Sequence, residues 1–204
     1  MKRQLGNKLY GSIALALLML LWLLALTWLP SPAPFSHHML QHIILVTLVS
    51  PLLVFMFPSL LCSVALSPLL ATLIEFLVVW GWHLPDLHAA AAHSMLVYLL
   101  EQSMFLGAGI LIWGSVLQPG QAMAGVGGLL LTSMHMTMLG ALLILSPRAL
   151  YLHDAAVESL AASSAMALQD QQMGGMIMLA IGTPIYILGA LVLLRRSLKA
   201  EVFS

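Results

Sequence analysis

Charged side chains are scarce in this chain. Aspartate, glutamate, lysine and arginine together make up 7% of its 204 residues, whereas 61% are hydrophobic. An ordinary soluble domain carries roughly 25% charged residues, so a soluble globular fold is excluded. Cysteine is nearly absent as well, and the single Cys62 excludes an internal disulfide and any paired-cysteine site. The composition indicates an all-α, polytopic membrane protein with a single transmembrane domain over residues 1–204.

The common signatures of catalysis and of nucleic-acid binding are missing too. The basic residues form no patch, because six of the seven lie in the two tails. No glycine-rich phosphate loop, nucleotide-binding fingerprint or serine–histidine–aspartate set is present. His38 and His42 have the spacing of a zinc-protease motif, but Met39 occupies the position of the general base. The chain is therefore predicted not to be an enzyme and not to bind nucleic acid.

Long apolar runs, separated by turns that contain proline and glycine, predict a bundle of about six membrane-spanning helices. The predicted spans cover residues 9–29, 37–57, 69–83, 92–116, 121–145 and 169–194. Pro51 predicts a kink near the end of the second span, and Asp170 predicts a cap at the start of the sixth. The first run follows basic residues as a signal peptide does, but its length favours a retained helix.

The basic residues also predict the orientation. Those in the tails are Lys2, Arg3, Lys8, Arg195, Arg196 and Lys199. An even number of spans puts both termini on one side, and the positive-inside rule makes that side the cytoplasm. Seven of the eight histidines then fall at the outer face, namely His37, His38, His42, His83, His88, His93 and His153. The eighth, His135, lies near mid-membrane.

Ionisable residues in membrane segments are functional-site candidates, and here they favour a metal site. His38 and His42 are four residues apart and share one helix face. Imidazole and thioether are ligands that suit copper, and a thioether favours Cu(I). The candidate ligands are His38, His42, His83, His93, His135 and Met39, and the supporting polar residues are Glu101, Asp170, Gln171 and Gln172. His88 and His153 are predicted to be exposed loop residues without a role.

Two other interpretations of these histidines are open. They could form hydrogen bonds between helices without any metal. They could also bind haem as paired axial ligands, although the predicted depths of His42 and His135 differ by roughly 9 Å, which counts against haem.

Five segments, in this order, resemble the CtaG-type cytochrome c oxidase assembly family. They are His38–His42 with Ser50–Val54 behind it, Trp80–Pro85, Leu100–Leu106, Met138–Leu143 followed by Tyr151, and Asp170–Met178. The polar residues that match by position are His38, His42, His83, His93, Glu101, His135, Asp170 and Gln171. Gln102 stands where the family usually has histidine, so one possible ligand is absent. The chain also has fewer predicted spans than many relatives.

The resemblance implies a multi-pass protein of the bacterial cytoplasmic membrane that helps to assemble haem–copper oxidases by supplying copper at the outer face. Its partners would be an oxidase subunit or another maturation factor. His38 and His42 would be the primary Cu(I) ligands, His135 or a methionine the inner partner, and His83 and His93 the rim. The alternatives are a b-type cytochrome or other redox protein with histidine-ligated haem, and a metal-free scaffold for oxidase maturation. Copper transport is not separated from copper delivery.

Overall fold

The computed structural model describes residues 12–13, 15–17, 19–20, 34–57, 66–118, 120–151 and 160–202. Regular secondary structure among these residues is entirely helical, which confirms the all-α class. The first predicted span is described only in part. Its described residues are helical, and Met19 packs against the apolar cluster formed by Ile44, Leu45 and Val49. His153 and the amino-terminal basic residues lie outside the described residues.

Two pairs of the described helices are joined end to end, and the other helices are single elements. They are α1 (Pro34–Ile44), α2 (Ser50–Met56), α3 (Pro68–Trp82), α4 (Pro85–His93), α5 (Met95–Val116), α6 (Ala122–Leu145), α7 (Leu160–Ile177) and α8 (Thr183–Val202). A π-helical turn, Leu45–Val49, joins α1 to α2, and a second one, Met178–Gly182, joins α7 to α8. Each joined pair is therefore one helix with a widened turn inside it.

Four helices in the described part of the chain are long and apolar enough to cross a membrane. They are Phe35–Met56, Met95–Val116, Ala122–Leu145 and Ser164–Lys199. A fifth span exists if α3 and α4, which are bent by 72° at their junction, count as one. The predicted span 69–83 is too short alone, because α3 has 15 residues and a bilayer needs about 20.

The loop predicted between the spans 69–83 and 92–116 is wrong, because most of it belongs to helix α4. Pro85 occupies one of the first helical positions, and Asp86 lies in the first turn. Proline costs nothing at that position, and an acidic residue is favourable near a helix amino terminus. The run Ala89–Ala92 then supplies the best helix formers.

The start predicted for the sixth span is also wrong. Helix α7 begins at Leu160, so Asp170 lies inside it and does not cap it. The stretch from Leu160 to Gln169 is rich in alanine, leucine and methionine, which favour helix.

The disruption predicted at Pro51 takes the form of the π-helical turn that precedes it. Proline has no amide hydrogen, and its ring clashes with the carbonyl four residues back, so an α-helical turn is unfavourable there. The amide of Ser50 donates to the carbonyl of Leu45, five residues back, which widens the helix. A second hydroxyl residue followed by proline, Thr183-Pro184, comes directly after the other π-helical turn.

Helix α5 supplies the hydrogen bond that this proline cannot make. In the π-helical register, the carbonyl of Val46 would accept a hydrogen bond from the backbone amide of residue 51. That residue is Pro51, which has no amide hydrogen. The indole N–H of Trp113 donates to that carbonyl at 2.8 Å instead. Close approach of α5 depends on Gly109, where a Cβ atom would lie 3.0 Å from the Cα of Val46. Helix α5 therefore satisfies the carbonyl that the π-helical segment leaves without a backbone donor.

We expect Trp113→Phe to lower the free energy of unfolding by about 2–4 kcal/mol, since it leaves a buried carbonyl without a donor and removes ring volume. Adding Pro51→Ala to that variant should recover part of the loss, because alanine restores an amide N–H. Pro51→Ala alone should bring no such gain in stability, because the Val46 carbonyl is then still bonded to Trp113. Unfolding of the detergent-solubilised protein in a denaturing detergent titration measures all three. Additive losses in the double variant would contradict this account.

Candidate metal centre

Four helices bring four histidines and one glutamate together, and we call these five residues the histidine cluster. They are His38 and His42 of α1, His83 at the end of α3, His88 of α4 and Glu101 of α5. The ring centroids of His88 and His38 are 4.7 Å apart, those of His38 and His42 5.4 Å, and those of His42 and His83 5.0 Å. The imidazoles therefore form a continuous chain through the cluster.

A carboxylate lies at the His38–His88 end of this row of imidazole rings. The Oε1 atom of Glu101 lies 3.3 Å from Nε2 of His38. One ligand atom each of His38, His88 and Glu101 lies within 4.8 Å of the others. The side-chain amide of Gln102 donates to the other Glu101 oxygen at 3.5 Å. Two imidazoles and a carboxylate form a donor set suited to a transition-metal ion, and a buried carboxylate needs a compensating cation or proton.

A thioether lies at the His42–His83 end of the row of imidazole rings. The Sδ atom of Met39 lies 3.4 Å from Nε2 of His83. Phe105 stacks on the His42 ring with centroids 4.6 Å apart and an interplanar angle of 15°. Met39, His42, His83 and Phe105 are all buried. This end is therefore apolar apart from its nitrogen and sulfur atoms.

Two aromatic residues cover the cluster. Tyr151 stacks on Phe35 with centroids 4.2 Å apart, and both rings contact the ring of His88. The Tyr151 hydroxyl donates to the backbone carbonyl of His83 at 2.6 Å. Burial raises the pKa of Tyr151, so its phenol stays protonated and remains a donor. The pair therefore ties the end of α3 to the start of α1.

The Asp170-Gln171-Gln172 motif of α7 fixes this aromatic cover through the backbone. The Asp170 carboxylate accepts the amide hydrogens of Phe35 at 2.8 Å and Ser36 at 3.1 Å, so it caps α1 from another helix. Gln171 accepts from the amide of Leu150 at 2.7 Å, next to Tyr151. Gln171 and Gln172 also donate to carbonyls in the last turn of α6. The motif satisfies helix ends that would otherwise be unpaired inside a membrane.

We expect Asp170→Ala to lower the free energy of unfolding by about 1–3 kcal/mol, because two buried amides lose a charged acceptor. Asp86→Ala is the matched control, since Asp86 is an exposed aspartate in the first turn of α4 and should cost no more than about 0.5 kcal/mol. A denaturing detergent titration of each purified variant measures the difference. Equal losses would show that the cap from α7 contributes nothing specific.

A second buried polar centre lies deeper in the bundle. Glu75 accepts hydrogen bonds from Tyr186 at 2.5 Å and from Thr132 at 2.7 Å. The Nε2 atom of His135 lies 4.0 Å from a Glu75 oxygen, and its ring packs against Phe76. Glu75 and His83 are eight residues apart, which is about 12 Å along the helix. His135 therefore belongs to this centre and not to the histidine cluster.

Tyr186→Phe should lower the free energy of unfolding by about 1–2 kcal/mol, because it leaves one oxygen of the buried Glu75 side chain without a donor. The phenylalanine ring preserves the stacking on Trp113. Tyr98→Phe is the control, since that hydroxyl bonds Gln41 in a partly exposed position at 3.2 Å and should cost less. Equal values for the two variants in the same titration would contradict the importance of the Glu75 network.

The structure joins some of the predicted site residues and separates others. His38, His42, His83, Met39 and Glu101 come together. His93 ends α4 with an exposed side chain. Asp170, Gln171 and Gln172 hold backbone groups around the site. The prediction that His88 is an exposed loop residue is wrong, since it lies in α4 and is buried against the ring of His38. Pro85-Asp86 followed by alanines was the available signal for a helix there.

The fold and the site define a multi-pass helical membrane protein with a buried cluster of imidazole, carboxylate and thioether groups near one end of its bundle. The family model for the cytochrome c oxidase caa3 assembly factor (Caa3_CtaG) matches residues 8–200. The chain therefore belongs to this bacterial family, and the resemblance found in its sequence is confirmed. Neither the curated proteins nor the solved structures gave a match. Membership links the chain to oxidase assembly in a membrane and indicates a role other than catalysis.

Proposed function

We propose that this assembly factor binds copper as cargo in the histidine cluster and delivers it to a subunit of cytochrome c oxidase or to another maturation factor. The observation that carries the proposal is the approach of His38, His88 and Glu101 ligand atoms to within 4.8 Å of one another. Met39 and two further imidazoles adjoin this group. Nitrogen and thioether ligands favour Cu(I), which we propose as the oxidation state of the cargo.

We further propose six spans, both termini in the cytoplasm and delivery at the outer face. Six spans result if the first predicted span and the α3–α4 pair are added to the four long helices. Support for the orientation comes from the helix Ser164–Lys199, because Asp170 bonds the cluster end of α1 and the basic residues lie at the far end. From Asp170 to Arg195 is about 38 Å along that helix. The positive-inside rule then assigns the cluster to the outer side.

The burial pattern of the cluster supports loading and release from one end. His38 retains 11% of its side-chain exposure, whereas Glu101 is fully buried. An ion can therefore reach the cluster past His38. A site made of neutral imidazoles and a thioether, with one carboxylate, can exchange its ligands for those of a partner. Exchange of this kind is what delivery of cargo requires.

Replacing both His38 and His42 by alanine should lower the Cu(I) affinity of the purified protein by more than about 10-fold. Removing a residue that only supports a metal ligand already lowers affinity by about 10-fold, and here two proposed ligands are removed. The copper content and activity of the oxidase in cells that carry this variant should fall too. His93→Ala is the matched control, because it removes an exposed histidine of the same region. Affinity is measured by competition with a Cu(I) chelator, and folding by the melting temperature of each variant.

Each of the other interpretations has its own result in this experiment. A b-type cytochrome would show a Soret band in the absorption spectrum of the purified protein. A metal-free scaffold would bind no copper, and loss of the protein would lower oxidase activity in a way that added copper does not restore. Unchanged Cu(I) affinity in the double variant would refute the proposed site.

A further inference from the structure

The histidine cluster contains two chemically different sets of donors. His38, His88 and Glu101 form the first set, which we call the carboxylate set. His42, His83 and Met39 form the second, which we call the thioether set. His38 and His42 lie one turn apart on α1 with ring centroids 5.4 Å apart, so the two sets adjoin. This division by chemistry is the starting point of the inference.

Backbone hydrogen bonds fix the imidazoles of the thioether set in one tautomer. Nδ1 of His42 lies 3.1 Å from the carbonyl of His38, and Nδ1 of His83 lies 2.6 Å from the carbonyl of Val79. A carbonyl can only accept, so each Nδ1 carries the hydrogen and each neutral ring keeps its lone pair on Nε2. An outer hydrogen bond of this kind is what orients a metal-binding histidine.

The Nε2 lone pairs of His42 and His83 have no hydrogen-bond donor among the described residues. Nε2 of His42 is buried and has no partner among the described residues. Nε2 of His83 faces the sulfur of Met39 at 3.4 Å, and neither atom then carries a hydrogen. Two electron-pair donors facing each other in a buried site gain nothing from their contact. A cation bound by both would make the arrangement favourable.

Charge and softness select the cation. The thioether set has no anionic member, so a divalent ion there would keep its full charge away from water, which is costly. A monovalent ion halves that charge, and thioether sulfur favours Cu(I) over harder ions. The Phe105 ring over His42 keeps the surroundings apolar. The carboxylate set, by contrast, offers one negative charge and no sulfur.

We propose that His42, His83 and Met39 form a second copper position, selective for Cu(I), and that the cargo passes to it from the carboxylate set. The proposal rests on the proposed function in that the cargo is copper. The step is a ligand exchange without a change of oxidation state. Bonds from the ion to His38, His88 and Glu101 break as bonds to the thioether set form. The partly exposed His38 is the point of arrival, and the thioether set is the position of rest.

X-ray absorption at the copper edge of the full-length protein, loaded with Cu(I) in detergent, tests this proposal. The wild-type spectrum should contain a sulfur neighbour. Met39→Leu, a volume-conserving change, should remove that neighbour and lower the Cu(I) affinity by at least about 10-fold. Met136→Leu is the matched control, since Met136 is an equally buried methionine beside His135, and its sulfur neighbour should remain.

Glu101→Gln separates the two positions. It should slow copper uptake while keeping the sulfur neighbour, because the thioether set is intact. Wild-type protein labelled with selenomethionine gives a readout that needs no substitution, since a selenium neighbour should replace the sulfur one.

The failures of the two proposals are distinguishable. If the wild-type protein binds no Cu(I), the proposed function falls and this inference falls with it. If Cu(I) binds but no sulfur or selenium neighbour is present, or the neighbour survives Met39→Leu, only the second position is overturned. If Glu101→Gln removes the sulfur neighbour together with the affinity, the cluster is one position and not two.

Discussion

The hydrogen bonds from the first turn of α1 to the Asp170 carboxylate determine where α1, the helix that contains His38 and His42, begins. Inside a bilayer the free amides at a helix start find no water, and a carboxylate is the acceptor best matched to the positive end of the helix dipole. His38 and His42 follow Phe35 by about one and two turns, so their height and direction depend on this start. One side chain, 135 residues away in sequence from its partner Phe35, therefore sets the geometry of the cluster.

The two glutamines next to Asp170 extend the same principle to the cover of the site. Gln171 bonds both the last turn of α6 and the segment that leads to Tyr151, while Gln172 bonds the last turn of α6 alone. Tyr151 stacks on Phe35, and both rings pack against His88 on one side of the cluster. Since the motif holds backbone groups and not the ligand atoms themselves, we interpret it as support for the site.

From the sequence it was possible to predict the all-α class, the four long helices and part of the histidine cluster. Apolar runs of bilayer length are a local signal, and a spacing of four residues puts His38 and His42 on one face in any helix. The burial of His88 in the cluster was missed because proline and a short polar stretch indicate a loop, although proline also starts helices. The target of Asp170 was missed for a different reason. Its cap and the contact of Trp113 with Val46 join segments far apart in sequence, which local patterns do not encode.

The two buried polar centres differ in how their carboxyl groups are bonded. Both oxygens of Glu75 are taken by hydroxyl donors, so that carboxyl group joins α3, α6 and α8 and needs no ligand. In the histidine cluster, Nε2 of His42 has no hydrogen-bond partner among the described residues, and His38 and Glu101 face each other at 3.3 Å without forming a hydrogen bond. Each unsatisfied buried group costs about 1–3 kcal/mol. Among the described residues the fold accepts this cost on adjacent ligand-type atoms of the cluster and also on both ring nitrogens of His135, whereas the Glu75 carboxylate, about 12 Å away along α3, is satisfied.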